Sequence, residues 1–197
     1  LFNFADLKKI IVGYDFNFGK ARQGTASLLK KEAEKRGIDF LQMSAVQKDN
    51  ITVSSTMIRR LLFEGDFAYV KKYLGRPWSV NGIIREGNKL GHNLGFPTIN
   101  LEPTVSLPLK KGVYACQVDL DGKIYNGVSN IGVKPTFGGE QLKVEMNIFD
   151  FNQDIYGRFV RVIPQKFIRE EIKFNSVDEL KHQISKDAKI AANFYKK

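Results

Sequence analysis

At 197 residues the chain has room for one or two domains, each able to bury a core. Its formal net charge of +10 attracts polyanions, but the lysines stand mostly as scattered doublets (Lys8-Lys9, Lys30-Lys31, Lys71-Lys72, Lys110-Lys111), so no dense basic run marks a nucleic-acid surface. No stretch reaches the ~18 uninterrupted apolar residues of a membrane helix, and the single cysteine, Cys116, excludes an intramolecular disulfide and a Cys-based zinc site.

The opening Leu1-Phe2-Asn3-Phe4 has neither a Met nor the basic and apolar regions of a secretion signal, so the chain is expected to be part of a longer, cytoplasmic protein. Lys9-Ile10-Ile11-Val12-Gly13-Tyr14 predicts a short buried strand, and Asp15-Phe16-Asn17-Phe18-Gly19 a loop. Thr25 is placed to cap a helix from Ala26 to Arg36 that Gly37 ends, and Asp39 to Val46 predicts a second strand. Strand, loop, helix and strand in that order suggest an α/β layer. Ser54 or Ser55 caps the next helix, which ends near Gly65. Asp66 caps another over Phe67 to Leu74, ended by Gly75, and Pro77 forbids its continuation.

From Trp78 the texture changes to strands, expected at Ser79–Arg85, Gly112–Leu120, Lys123–Asn130, Leu142–Phe151 and Tyr156–Val162. Asp121-Gly122 is a hairpin signal between two of them. Cys116 alternates with Tyr114 and Val118 in an apolar run and is expected to be a buried structural thiol. A last helix over Ser176–Tyr195 opens with a Ser176/Glu179 capping box, and Val177, Leu180, Ile184, Ala188 and Ala191 recur along it at helical spacing.

Gly82, Gly87, Gly91 and Gly95 lie around Arg85–Leu101, where glycines let backbone amides approach phosphates. Pro97 fixes the backbone that follows. Thr98 and Asn100 alternate in an extended segment, so they point the same way, and a hydroxyl with an amide oxygen suits a hard cation such as Mg2+. On these residues alone, turn formers explain the segment as well as ligands do. Further on, Val144, Met146 and Ile148 share one strand face, and Glu145, Asn147 and Phe149 the other. A carboxylate beside aromatic surface is suited to accept a proton near neutrality.

Together these motifs carry a resemblance. Gly91-x-x-Leu94-Gly95-Phe96-Pro97-Thr98-Ile99-Asn100 resembles the Pro-Thr-Ala-Asn motif of riboflavin kinases, and four further segments follow in that family's order. They are Gly112-Val113-Tyr114-Ala115, Ser129-Asn130-Ile131-Gly132-x-x-Pro135-Thr136-Phe137, Val144-Glu145-x-Asn147 through Tyr156-Gly157, and Ile168-Arg169-x-Glu171-x-Lys173-Phe174. The resemblance implies an enzyme that moves the γ-phosphoryl of ATP to the ribityl 5′-hydroxyl of riboflavin, giving FMN, with Mg2+ required. It puts Glu145 as the base and Thr98 and Asn100 on the metal. It puts Gly82, Gly87, Gly91, Gly95, Pro97, Thr98 and Asn130 around ATP, with Lys89 a substitute there for the family's Arg at position 92, and Arg169 and Phe174 on the flavin, although the core suits Phe174 equally well. His92 stands where the family usually has Arg, Asn147 where it has His, and Ile99 where it has Ala.

Nearer the start, Asp15, Phe16, Phe18 and Gly19, with Ser54, Ser55, Thr56 and Arg59, resemble the binding motifs of bacterial FMN adenylyltransferases, the partner module of bifunctional FAD synthetases. Hydroxyls and amides at a helix start, with an arginine one turn on, are able to hold phosphates. The two histidines, His92 and His182, do not form that module's opening His-x-Gly-His pattern, so this chain is expected to adenylylate FMN poorly. The implied fold class is α+β with two domains. Residues 1–76 would be the C-terminal part of an α/β Rossmann-like nucleotidyltransferase. Residues 77–197 would be a small antiparallel Greek-key β-barrel with a C-terminal helix. The expected partners are small-molecule substrates, with no nucleic acid and no membrane. The rival readings are a basic β-barrel that binds nucleic acid and a flavin carrier without turnover.

Overall fold

Residues 6–86, 96–103, 107–136 and 139–196 are described by the computed structural model, apart from the side chains of 134–136 and 139–142. The chain divides into two compact units, Leu1–Val53 and Ser54–Lys197. The change from helices to strands at residue 77, where the sequence places the domain boundary, lies inside the second unit.

In the first unit, β1 (Lys9–Val12) and β4 (Asp39–Gln42) pair in parallel, joined through α1 (Ala26–Glu34). Alternation along β1 turns Ile10 and Val12 inward against Ala26, Leu29 and Ala33, the buried stripe of α1. The Thr25 hydroxyl accepts the Leu28 N–H at 3.2 Å and caps the helix, as expected. β2 (Asn17–Phe18) pairs with β3 (Gly24–Thr25), and β5 (Gln47–Lys48) with β6 (Ile51–Thr52). The second strand is shorter than its sequence range because β4 ends at Gln42.

The second unit opens with α2 (Ser55–Glu64) and α3 (Phe67–Leu74). Ser54 and Asp66 cap them, and Gly65 and Gly75 end them at φ 79° and 71°, conformations that favour glycine. Both helices pack on the barrel: Gly65 sits over Phe167, and the Phe67 ring meets Tyr114 edge-on at 6.0 Å.

Six strands, β7 (Val80–Arg85), β8 (Ile99–Pro103), β9 (Gly112–Leu120), β10 (Lys123–Thr136), β11 (Gly139–Ile148) and β12 (Phe159–Glu170), close an antiparallel barrel in the order β10-β11-β8-β7-β12-β9. Asp121 and Gly122 both have positive φ, the turn geometry that their dipeptide predicts. Two strands run further than the sequence indicates. β12 continues past Pro164 because a register shift there spares the missing N–H, and β10 runs on to Thr136 beside β11.

The barrel interior is a set of matched rungs. Ile84, Leu101, Val144 and Ile131 stand side by side across β7, β8, β11 and β10, and none is more than 2% exposed. Cys116 is buried with them, and burial pushes its thiol up to about 12. α4 (Val177–Tyr195) lies on the outer face, where Ala191 packs with Val113, Ala115 and Val128. The Ser176 hydroxyl accepts the Glu179 N–H, while the Glu179 carboxylate accepts the Asn175 N–H, so the return bond of the capping box falls one residue earlier than expected. Val177 stays 60% exposed, outside the apolar stripe predicted for this helix.

Candidate functional site

One residue along from the interior rung, the side chains point outward. Arg85, Asn100, Glu145, Asn130 and Val113 form the next rung across β7, β8, β11, β10 and β9, and Arg169 of β12 pairs with Val113. Four residues predicted for the site, Asn100, Glu145, Asn130 and Arg169, thus share one rung although 69 positions separate the first from the last (169 − 100). Antiparallel register places their side chains on one face.

That face and α4 enclose a cavity of about 190 Å³ whose lining includes Thr98, Asn130, Glu145, Asn147, Arg169 and Phe174. A second cavity, of about 470 Å³, is lined by Pro97, Thr98, Met146, Phe151 and the Asn152–Tyr156 turn. Thr98 belongs to both and forms part of the wall between them. Asn100 adjoins that wall, and its Oδ1 is buried with no hydrogen-bond partner among the described residues. A buried carbonyl oxygen is costly unless something positive meets it, so this atom and the Thr98 hydroxyl fit a hard cation.

Charge is distributed unevenly in the first cavity. The Glu145 carboxylate pairs with the Lys143 ammonium on the same strand face, so its partner is a cation where the sequence suggested aromatic surface. Glu171 accepts a hydrogen bond from Asn130 at 3.4 Å. Gly132 leaves it room: a Cβ there would stand 2.3 Å from the Glu171 Oε1. Arg169 does not point freely at a ligand. Its Nε and Nη2 grip the carboxylate of Asp187, at 3.1 and 2.7 Å, and its Nη1 donates to the Glu170 carbonyl. The guanidinium also lies 5.9 Å from the centre of the Phe174 ring, making a flat wall.

The sequence gives Glu171 a place in a motif but no role, and it gives Asp187 neither. Asp187 is 4% exposed, and Gln183 supports it at 2.8 Å. Its spacing was the signal available: Leu180, Ile184, Asp187 and Ala191 follow the stripe that faces the barrel.

Other predicted positions fall elsewhere. Gly82 lines neither cavity; a Cβ on it would come within 2.2 Å of the Glu102 carbonyl oxygen, so close strand packing accounts for the glycine. Gly87, Lys89, Gly91 and Gly95, with His92, lie outside the described residues. Of the adenylyltransferase-like positions, Asp15, Phe16, Phe18 and Gly19 are in the first unit. The rings of Phe16 and Phe18 stack there at 5.9 Å, and Gly19 has φ 78°. Ser54, Ser55, Thr56 and Arg59 begin α2 in the second unit, where the Ser54 hydroxyl is engaged as the cap and Ser55, Thr56 and Arg59 are exposed.

Residues 74–195 match the family model described as riboflavin kinase. The chain belongs to the riboflavin kinase family. Residues 1–57 match a second model, FAD synthetase. The chain is 40% identical over 99% of its length to a bifunctional riboflavin kinase/FMN adenylyltransferase of Haemophilus influenzae, and 38% identical over 96% to its namesake in Bacillus subtilis. It spans 64% and 61% of the lengths of those two relatives. A solved structure described as a macrolide-efflux protein from Streptococcus pneumoniae superposes with a TM-score of 0.72 at 35% identity, covering 94% of this chain and 60% of that one. Among the described residues of this family member, no helix is long and apolar enough to cross a membrane.

Proposed function

We propose that the barrel transfers the γ-phosphoryl of ATP to the ribityl 5′-hydroxyl of riboflavin, giving FMN and ADP. The observation that carries this reading is the wall at Thr98, shared by two cavities, with Asn100 and Glu145 paired next to it. The flavin takes the cavity under α4, with its ring system against Phe174 and Arg169. ATP takes the cavity bounded by Pro97 and the Asn152–Tyr156 turn. The Glu145 carboxylate accepts the hydroxyl proton as the ribityl oxygen bonds to the γ-phosphorus, and the bond from that phosphorus to the bridging oxygen breaks, releasing ADP. Lys143 beside Glu145 places positive charge near the oxygens that gain charge. Thr98 and Asn100 would hold Mg2+, which when bound neutralises charge on the phosphates.

In the same reading, Gly87, Lys89, Gly91 and Gly95 belong to the ATP side. The intact, longer protein would also adenylylate FMN to FAD in a cytoplasmic setting. Chromatography of the chain incubated with riboflavin, ATP and Mg2+ tests the kinase reading. FMN should accumulate only when all three are present. Flavin binding with no ATP consumed would instead identify a carrier.

A further inference from the structure

Asn147 stands on β11 two residues beyond Glu145, on the same outward face. The ladder between β11 and β8 pairs Val144 with Leu101, Glu145 with Asn100 and Met146 with Ile99, and ends there. Its next rung would oppose Asn147 to Thr98. The backbone ladder does not continue into Pro97, which has no N–H to give. Instead the Asn147 side chain supplies a bond: its Nδ2 donates to the Pro97 carbonyl at 2.8 Å. The carbonyl only accepts, so the amide nitrogen must be the atom that faces it.

We propose that Asn147 is a positioning residue that fixes the Pro97–Thr98 peptide, and with it the Thr98 hydroxyl, on the wall between the two cavities. The carbonyl belongs to the peptide group that leads into Thr98, so holding it sets the plane from which the Thr98 side chain projects. Asn147 lines the first cavity, and Pro97 and Thr98 line the second, so the bond ties the two sides together. An imidazole N–H is a donor of the same kind, whereas a leucine side chain of similar size donates nothing. The inference rests on the kinase reading, because it gives Thr98 a role toward the metal-bound nucleotide.

Calorimetric titration with Mg2+ and ADP, beside a separate titration with riboflavin, tests it on the wild-type chain, Asn147→Leu and Asn147→His. Loss of one hydrogen bond should weaken Mg2+–ADP binding about fivefold in Asn147→Leu, more than it weakens riboflavin binding, and be repaired in Asn147→His. Combining Asn147→Leu with Thr98→Val should be no worse than Thr98→Val alone. Trp78 fluorescence during urea unfolding checks that each variant folds, and Asn147→Ala carries the test if the leucine is not tolerated. Unchanged nucleotide affinity in Asn147→Leu, a loss confined to riboflavin, or no repair by histidine would overturn the proposal while wild-type FMN formation stands. A wild-type chain that makes no FMN would sink the kinase reading first, and this inference with it.

Discussion

Replacing Asp187 with Asn probes the seat of α4. The native carboxylate is 4% exposed, grips the Arg169 guanidinium through two nitrogens, and accepts a third bond from Gln183. Asparagine keeps the volume but offers one acceptor oxygen, so the Arg169 guanidinium, which only donates, loses an acceptor or meets an N–H₂ group. Removing one partner of a buried pair costs about 3–5 kcal/mol. The Arg169 side chain is 22% exposed, so water relieves part of that, and about 2–3 kcal/mol is expected. For a chain of this size that lowers the midpoint of thermal unfolding by about 5–10 °C. Trp78 is the only tryptophan and lies in the second unit, so urea unfolding followed by its fluorescence reads the affected unit. Arg169→Met together with Asp187→Asn should recover at least half of the loss, because no guanidinium is then left unpaired. A single-variant effect below about 0.5 kcal/mol, or a double variant equal to the sum of the singles, would refute the reasoning.

Further outcomes are expected at three positions. The Cys116 thiol, raised to about 12 from 9.0 by burial, should be inert to thiol reagents at pH 8 until the chain unfolds. Between pH 9.0 and about 12 the folded state holds the Cys116 proton more tightly than the unfolded state, so stability falls as pH rises through that window, and less steeply in Cys116→Ala. Gly132→Ala should push the Glu171 carboxylate away and break its bond to Asn130, weakening riboflavin binding in a fluorescence titration. Ser54→Ala, which removes the α2 cap, should cost about 1 kcal/mol in the same urea assay that reports on Asp187.

What the sequence made legible here was what depends on neighbouring residues. The caps Thr25, Ser54, Asp66 and Ser176 and the Asp121-Gly122 turn are local hydrogen-bond and dihedral choices, and each falls where the residues place it. The alternation that separates Val144 from Glu145 is equally local. Register is not: that Asn100 faces Glu145, and Glu145 faces Asn130, depends on how three strands align, and the individual strand patterns do not specify it. The resemblance to a family brought those residues together before the barrel did. Asp187 is not legible in the sequence, because an aspartate within a charged helix usually faces water. Its partner, Arg169, is distant in sequence, and the resemblance puts it on the flavin, whereas most of its donors are taken by Asp187 and the Glu170 carbonyl.

The central claim is that Glu145 accepts the proton of the attacking hydroxyl in a kinase site. Single-turnover FMN formation by the wild-type chain and by Glu145→Gln, with riboflavin, ATP and Mg2+ at saturation, tests it most directly. The expected result is FMN from the wild type and a rate on the order of 10²–10⁴-fold lower in the variant, with riboflavin affinity retained. Equal rates in the two chains, or no FMN from the wild type, would contradict it.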